Sequence, residues 1–221
     1  MKIINNPTQD FHLHSLNFSD GLNTIDEIVK FAEQIGLTKI AITDHSTAVQ
    51  NPQDICRKHS RFTLKRWKNI FNQVEVSFGV EGDLLNEYGD VCLDYFGTDA
   101  EVVILSAHSV VYGGDFSKIN QAYDLAIKRY GEKIKFLGHP CAKYFEQYLD
   151  IRELIKLAND HGIPMEFNCA NFFRNRTNLA NMEKMFEFAD QIIVNTDSHT
   201  VTEMVELSHA GWDYLKKQGL I

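Results

Sequence analysis

Seven short runs of apolar and β-branched residues recur along the chain, separated by longer amphipathic segments. The runs are DFHLHS, KIAITDH, VSFGVEGDLL, EVVILSAH, IKFLGHP, IPMEFNCA and QIIVNTDSH. Their length and composition predict buried strands. In NTIDEIVKFAEQIG, after the first run, apolar residues return with helical spacing, Asn23 or Thr24 can cap the start, and Gly36 can end the helix.

Four later segments predict helices in the same way: FSKINQAYDLAIKRYG, DIRELIKLANDHG, NLANMEKMFEFAD and VTEMVELSHAGWDYLKKQG. Strands that alternate with helices predict βα units around a parallel sheet, an α/β fold. No Pro/Gly-rich linker, low-complexity tract or shift in composition divides the chain. We therefore expect residues 1–221 to form a single domain with one large core.

Each predicted strand ends in a histidine or an acidic residue. One such residue from each successive strand forms a series with steps of 27 to 36 residues, close to the length of one βα unit; the series is His12, His45, Glu81, His108, His139, Glu166 and Asp197. In barrels of parallel strands the carboxyl ends meet at one rim, where active sites are built. We therefore expect these side chains to converge. The strand ends carry His12 and His14, Asp44 and His45, Glu81, His108, His139, Glu166 and Asn168, and Asp197 and His199.

A metal site is the interpretation that this rim favours. His12 and His14 lie two residues apart and so share one face of their strand, although alone they could be a stray exposed pair on an edge strand. Crowded imidazoles and carboxylates repel one another or lose their hydration unless cations lie between them. Divalent metals of borderline softness bind histidine nitrogens and bridging carboxylates.

Other candidate ligands have simpler interpretations. His59, His161 and His209 lie in helical or turn contexts, where surface or capping roles are favoured over metal binding. Cys141 and Cys169 flank strands that carry candidate ligands, but small buried thiols that pack the core are favoured over soft ligands.

The order of these motifs resembles the polymerase and histidinol phosphatase (PHP) superfamily. The resemblance rests on HLH after the first strand, TDH after the second, a lone Glu after the third, single histidines after the fourth and fifth, and DSH after the last. It runs from Asp10 to about Lys216. It implies a distorted, seven-stranded (β/α)7 TIM-like barrel with two or three divalent metal ions, Zn, Mn or Fe.

The resemblance also implies a set of metal ligands. Asp20, in FSDG, matches an acid that many members use, although Asp-Gly alone is also a turn signal. The implied ligands of a first metal are His12, His14, Glu81 and Asp197; those of a second are Glu81 as a bridge, His108 and His139; those of a third are His45, His199 and Asp20.

The implied reaction is hydrolysis of a small phosphomonoester, such as histidinol phosphate or a nucleotide, by a metal-activated hydroxide. Glu81, Asp197 and His199 are the catalytic candidates. Arg174 and Arg176, in NFFRNRTN after the sixth strand, can bind phosphate with planar paired donors, or they can be exposed loop residues.

Three alternatives to this function remain open. Amidohydrolase barrels also begin with His-x-His, but they often carry a bridging lysine after a middle strand, and neither ILSAHSV nor FGVEGDL contains one. A nuclease-type PHP module acting on nucleic acid is a second alternative, and a non-catalytic metal-binding regulatory domain is a third. The formal net charge of −8 argues against binding nucleic acid by charge.

A basic segment follows the second predicted strand. In CRKHSRFTLKRWKNIF, Arg57, Arg61, Lys65 and Lys68 recur at near-helical spacing, as on a solvated helix face or on a segment that overhangs the site and attracts an anion. No apolar run reaches the roughly 20 residues that span a bilayer. With four cysteines and no CxxC pair, we expect free thiols and a cytoplasmic location.

Overall fold

A computed structural model describes residues 1–49, 72–94 and 100–221. The basic segment that contains Arg57, Arg61, Lys65 and Lys68 lies outside these residues, as do Cys56 and His59. The described strands are β1 (Lys2–Ile3), β2 (Gln9–Leu13), β3 (Lys39–His45), β4 (Glu75–Leu84), β5 (Val91–Cys92), β6 (Val102–Ser106), β7 (Ile134–Leu137), β8 (Met165–Asn168) and β9 (Gln191–Asn195).

The helices in the described part of the chain lie between these strands, apart from the last, which follows β9. They are α1 (Ile25–Gln34), α2 (Ile119–Tyr130), α3 (Ile151–Asp160), α4 (Cys169–Phe173), α5 (Leu179–Phe188) and α6 (Val201–Lys217). Single 3₁₀ turns occur at Phe116–Lys118 and Lys143–Phe145. Thr24, and not Asn23, caps α1, in a reciprocal capping box with Glu27. Gly36 follows the helix with φ +79°, a conformation that favours glycine.

The sheet is parallel and curled, but it is an open half-barrel of eight strands and not the predicted seven-stranded barrel. Its strand order is β1-β9-β8-β7-β6-β4-β3-β2, and β5 pairs antiparallel with β4. The seven predicted strands are all present. The eighth is the two-residue β1, which adds to the outer edge of β9. Within the described residues, a single bridge between Leu13 and Ser198 links β2 to the segment after β9.

Alternate residues along the strands belong to two different apolar clusters. On β6, β7 and β9, residues such as Val103, Leu137 and Ile192 belong to the main core, which the helices cover. Their neighbours Ile104, Phe136 and Ile193 form a second, smaller apolar cluster. Because side chains alternate between the faces of a strand, the second cluster lies on the inner face of the sheet.

The same alternation places the polar strand ends. Glu81 and Asp83 alternate with Val80 and Leu84, which belong to the main core, so both carboxylates point to the inner face. Parallel pairing then brings the carboxyl ends of the strands to one edge. None of the helices in the described ranges is both long and apolar enough to cross a lipid bilayer.

Candidate metal centre

The Glu81 carboxylate lies at the middle of the polar edge and is 1% exposed. Its Oε1 faces His139 Nε2 at 2.8 Å and His108 Nε2 at 3.5 Å. Its Oε2 faces the Nε2 atoms of His12 and His14, each at 3.6 Å. One carboxylate therefore presents its two oxygens to two separate pairs of imidazoles, which is the arrangement of a ligand that bridges two cations.

Several of these buried atoms lack hydrogen-bond partners. In the described part of the chain they include Nε2 of His12 and His14, Nδ1 of His45, and Glu81 Oε2. His45 Nδ1 lies 2.8 Å from Glu81 Oε2, yet the two atoms do not meet hydrogen-bond geometry. Buried polar atoms without partners are costly, so this convergence needs a further group. A divalent cation, which binds both histidine nitrogens and carboxylate oxygens, fits it.

Asp197 completes the group around His12 and His14. Its Oδ1 lies 3.2 Å from His14 Nε2 and 3.7 Å from His12 Nε2, and its Oδ2 accepts a hydrogen bond from Asn168 Nδ2 at 3.0 Å. The backbone of Asp197 has φ +55°, and that of His139 has φ +31°. Non-glycine residues in this region are strained, and such strain clusters at functional sites.

A third group lies nearer to solvent. Asp20 Oδ1 is 3.2 Å from His199 Nε2 and 3.6 Å from His45 Nε2, and the Asp20 side chain is 63% exposed. Potential ligand atoms converge within 4.8 Å in three groups: His14, Asp20, His45 and His199; His12, His14 and Glu81; and His45, Glu81 and His108. These groups contain seven of the nine predicted metal ligands, and the other two, Asp197 and His139, lie 3.2 Å from His14 and 2.8 Å from Glu81. His45 is grouped with Glu81 as well as with Asp20.

Two carboxylates outside the predicted set of ligands orient these histidines. Glu166 Oε1 accepts from His12 Nδ1 at 2.8 Å, and Glu166 Oε2 accepts from the His139 backbone N–H at 2.8 Å. Asp83 Oδ1 lies 2.6 Å from His108 Nδ1. A carboxylate on the far ring nitrogen fixes the tautomer, so that the near nitrogen is available to a metal. The signal for Asp83 was its position two residues after Glu81, on the same strand face.

The charges at the centre shift its pKa values strongly. Burial would lower the pKa of His12, but the Glu166, Asp197 and Glu81 carboxylates together raise it well above its ordinary value. Burial, followed by His199 and His45, lowers the pKa of His14 to about 3. The field of the carboxylates therefore favours positive charge at the centre, and a bound cation can replace the proton on His12.

The remaining histidines and thiols of the described chain lie apart from the three ligand groups. His161 and His209 are exposed. Cys141 and Cys169 are buried and belong to none of these groups. The Cys141 thiol lies 3.9 Å from Met185 Sδ, and burial raises its pKa to about 12. These contacts are those of packing thiols.

A cavity of about 530 Å³ opens above the metal centre. Arg174 and Arg176 both line it and both side chains are exposed. The Arg174 guanidinium forms an ion pair with Glu203, whose other oxygen accepts from the His199 backbone N–H at 2.8 Å. Arg176 makes no ion pair with any residue that the structure describes, so its guanidinium is the more available of the two to an anion.

Comparison with known proteins supports the same family as the motifs. The PHP domain model matches residues 10–217. The chain is 22% identical over 204 residues to the protein named "Probable phosphatase YcdX" of Shigella dysenteriae serotype 1, covering 89% of this chain and 80% of that protein. A protein of the same name from Escherichia coli is equally similar.

Solved structures support the fold. Histidinol phosphate phosphatase from Lactococcus lactis, solved with Zn, L-histidinol and phosphate, aligns with a TM-score of 0.59 at 17% identity, over 99% of this chain and 95% of that one. A two-domain protein from Bacteroides vulgatus, described as containing a "predicted PHP-like metal-dependent phosphoesterase", aligns with a TM-score of 0.51 at 18% identity, over 95% and 55%. The chain therefore belongs to the PHP domain family and is a metal-dependent phosphoesterase.

Proposed function

We propose that this protein hydrolyses a small phosphomonoester at a centre of two or three divalent metal ions, Zn, Mn or Fe. The observation that carries the proposal is the Glu81 carboxylate, whose two oxygens face separate imidazole pairs and include one buried atom without a partner. A carboxylate so placed is suited to hold two cations at a short separation, the arrangement that phosphate hydrolysis uses.

The proposed ligands combine the three groups of converging atoms with Asp197 and His139, which lie against His14 and Glu81. His12, His14 and Asp197 would share a first ion with Glu81, and Glu81 would bridge to a second ion. His108 and His139 would hold that second ion, and His45, His199 and Asp20 would hold a third. Such ions supply positive charge for the phosphoryl oxygens and lower the pKa of water.

The remaining steps fall to the chain's own side chains. Arg176, and Arg174 with it, would bind the equatorial phosphate oxygens through charge-assisted hydrogen bonds. His199 lines the cavity, with Nε2 3.2 Å from Asp20 Oδ1. Where the centre holds two ions and not the third, this nitrogen would be available to orient the leaving oxygen or donate a proton to it. We further propose that residues 1–221 form one domain that acts in the cytoplasm.

The substrate we propose is histidinol-phosphate-like or a nucleotide. Its support is the pair of arginines beside the metal centre and the Lactococcus structure with bound L-histidinol and phosphate. A phosphodiesterase or nuclease is the second candidate within the family. The net charge of −8 disfavours it, because binding to a long polyanion depends on a surplus of basic residues.

A substrate panel tests this proposal. Protein reconstituted separately with Mn²⁺, Zn²⁺ or Fe²⁺ is assayed on histidinol phosphate, nucleoside monophosphates, p-nitrophenyl phosphate, bis-p-nitrophenyl phosphate and single-stranded DNA. We expect kcat/KM to be highest for a monoester and all activity to require metal. Higher kcat/KM for the diester or for DNA would support the nuclease alternative. Binding of metal without hydrolysis of any ester would support the regulatory alternative.

A further inference from the structure

The wall of the cavity above the metal centre includes apolar side chains that face solvent. Val110, two residues after His108, is 89% exposed, and Tyr144, in the 3₁₀ turn Lys143–Phe145, is 36% exposed. Both line the cavity. Single exposed apolar residues are ordinary on protein surfaces, but an apolar patch inside a functional cavity marks a ligand contact.

Tyr144 lies directly against the metal centre. Its ring centroid is 5.9 Å from that of His108 and 6.0 Å from that of His139, and the ring is nearly perpendicular to His139. Both histidines face Glu81 Oε1. The phenol ring therefore stands between the side of the centre that would hold the second ion and the solvent.

The backbone around Tyr144 is firmly held. Tyr144 lies in the 3₁₀ turn Lys143–Phe145, and the buried Phe145 ring packs on Tyr112 at 5.4 Å and Phe116 at 4.9 Å. An aromatic ring on a fixed backbone binds a ligand with little loss of conformational freedom.

The same turn is tied to the arginine loop. The Lys143 N–H donates to the Arg176 carbonyl at 2.9 Å, and Ala142 bridges to Thr177. Tyr144 and Arg176 both line the one cavity. The two residues that carry a planar cation and a flat ring are thus held on backbone segments that pair with each other, and both line the cavity.

We propose that Tyr144, with Val110, binds the organic group of the substrate, and that the enzyme prefers phosphomonoesters of alcohols bearing an aromatic ring over those of small polar alcohols. The inference rests on the proposed phosphomonoesterase function. An aromatic ring would pack on the phenol in an offset or edge-to-face arrangement and exclude water from Val110. A small polyol would lose hydration against this wall and gain few partners.

A matched pair of substrates tests the preference. 2-Phenylethyl phosphate and 2-hydroxyethyl phosphate both release a primary alcohol, so their leaving groups are similar while only one carries a ring. We expect kcat/KM to be about tenfold higher for the phenylethyl ester. Equal values, or a preference for the hydroxyethyl ester, would overturn the proposal.

Three variants assign the preference to Tyr144. Tyr144→Ala should lower the ratio of the two kcat/KM values about tenfold, and Tyr144→Phe should keep it, because the ring and not the hydroxyl makes the contact. Tyr148→Ala is the matched control, since Tyr148 is a 48% exposed tyrosine close in the chain that does not line the cavity. An unchanged ratio in Tyr144→Ala, or loss of the ratio in Tyr144→Phe, would contradict the assignment.

A binding measurement separates this inference from the proposed hydrolysis. Calorimetry with 2-phenylethylphosphonate and 2-hydroxyethylphosphonate, on metal-loaded wild type and Tyr144→Ala, compares the same groups without turnover. If the phenylethyl compound binds more tightly to wild type but not to Tyr144→Ala, the result would support binding of the organic group by Tyr144, even where neither ester is hydrolysed. Equal binding of the two compounds would refute it, whatever the activity.

Discussion

Replacing Glu166 by Gln should weaken metal binding although Glu166 belongs to none of the ligand groups. The carboxylate accepts four hydrogen bonds: Oε1 from His12 Nδ1 at 2.8 Å and Asn195 Nδ2 at 2.9 Å, Oε2 from the His139 N–H at 2.8 Å and Asn168 Nδ2 at 3.0 Å. Gln keeps the shape but converts one oxygen to an NH₂ group. In either orientation, that NH₂ group would face two donors.

The magnitude follows from these contacts. Two lost hydrogen bonds at about 1 kcal/mol each should lower the free energy of unfolding of the metal-free protein by about 2 kcal/mol. For a chain of this size, that loss lowers Tm by about 4–8 °C. Loss of the carboxylate behind a histidine ligand typically costs about 10–100-fold in metal affinity, which we expect here because His12 loses its fixed orientation.

The assay is competitive metal titration against a chromophoric chelator, with Tm of the metal-free protein measured by circular dichroism. Glu183→Gln is the matched control, because it removes the same charge from an exposed position on α5. Excess metal should restore much of the activity lost in Glu166→Gln. Metal affinity equal to that of Glu183→Gln would refute the role assigned to Glu166.

Three further predictions test the centre and the cavity. Glu81→Gln should lose far more activity than Asp20→Ala, because Glu81 faces two imidazole pairs and Asp20 is an exposed member of one group; an unchanged rate in Glu81→Gln would contradict the bridge. Adding EDTA to the metal-loaded protein should lower Tm by about 5–10 °C, since ligand at 100-fold its Kd stabilises by about 2.7 kcal/mol; an unchanged Tm would show that the metal is not tied to folding. Arg176→Ala should lower kcat/KM for a monoester by about 10–100-fold, with metal content intact, and the loss should be smaller for a diester. Arg174→Ala should have a smaller effect, because Arg174 is already paired with Glu203. Full activity in both variants would move the proposed phosphate site to the basic segment after β3.

The sequence predicted the strands and their polar ends well because two repeats govern them: the two-residue alternation of side chains along a strand and the length of a βα unit. Alternation along a strand requires that His12 and His14 share a face, and the length of a βα unit places Glu81 and His108 at the same edge. These features depend on residues close together in the chain. The Thr24 cap and the Gly36 stop of α1 are local in the same sense.

What the sequence did not reveal depends on contacts between distant residues. The Arg174–Glu203 ion pair joins residues 29 positions apart, and the hydrogen bond from His12 to Glu166 joins residues 154 apart. The two-residue strand β1 has no hydrophobic run of its own, and only its pairing with β9 defines it. The open sheet likewise depends on how far the curvature brings β2 towards β9, which no local pattern records.

Anomalous diffraction from crystals of the metal-loaded protein tests the central claim most directly, because it counts the ions and places them in one experiment. We predict two or three transition-metal peaks per chain at the carboxyl ends of the strands. The Glu81 oxygens should each lie about 2.0–2.2 Å from a different ion. Peaks at other sites, a single ion that Glu81 does not touch, or no peak after reconstitution would contradict the account.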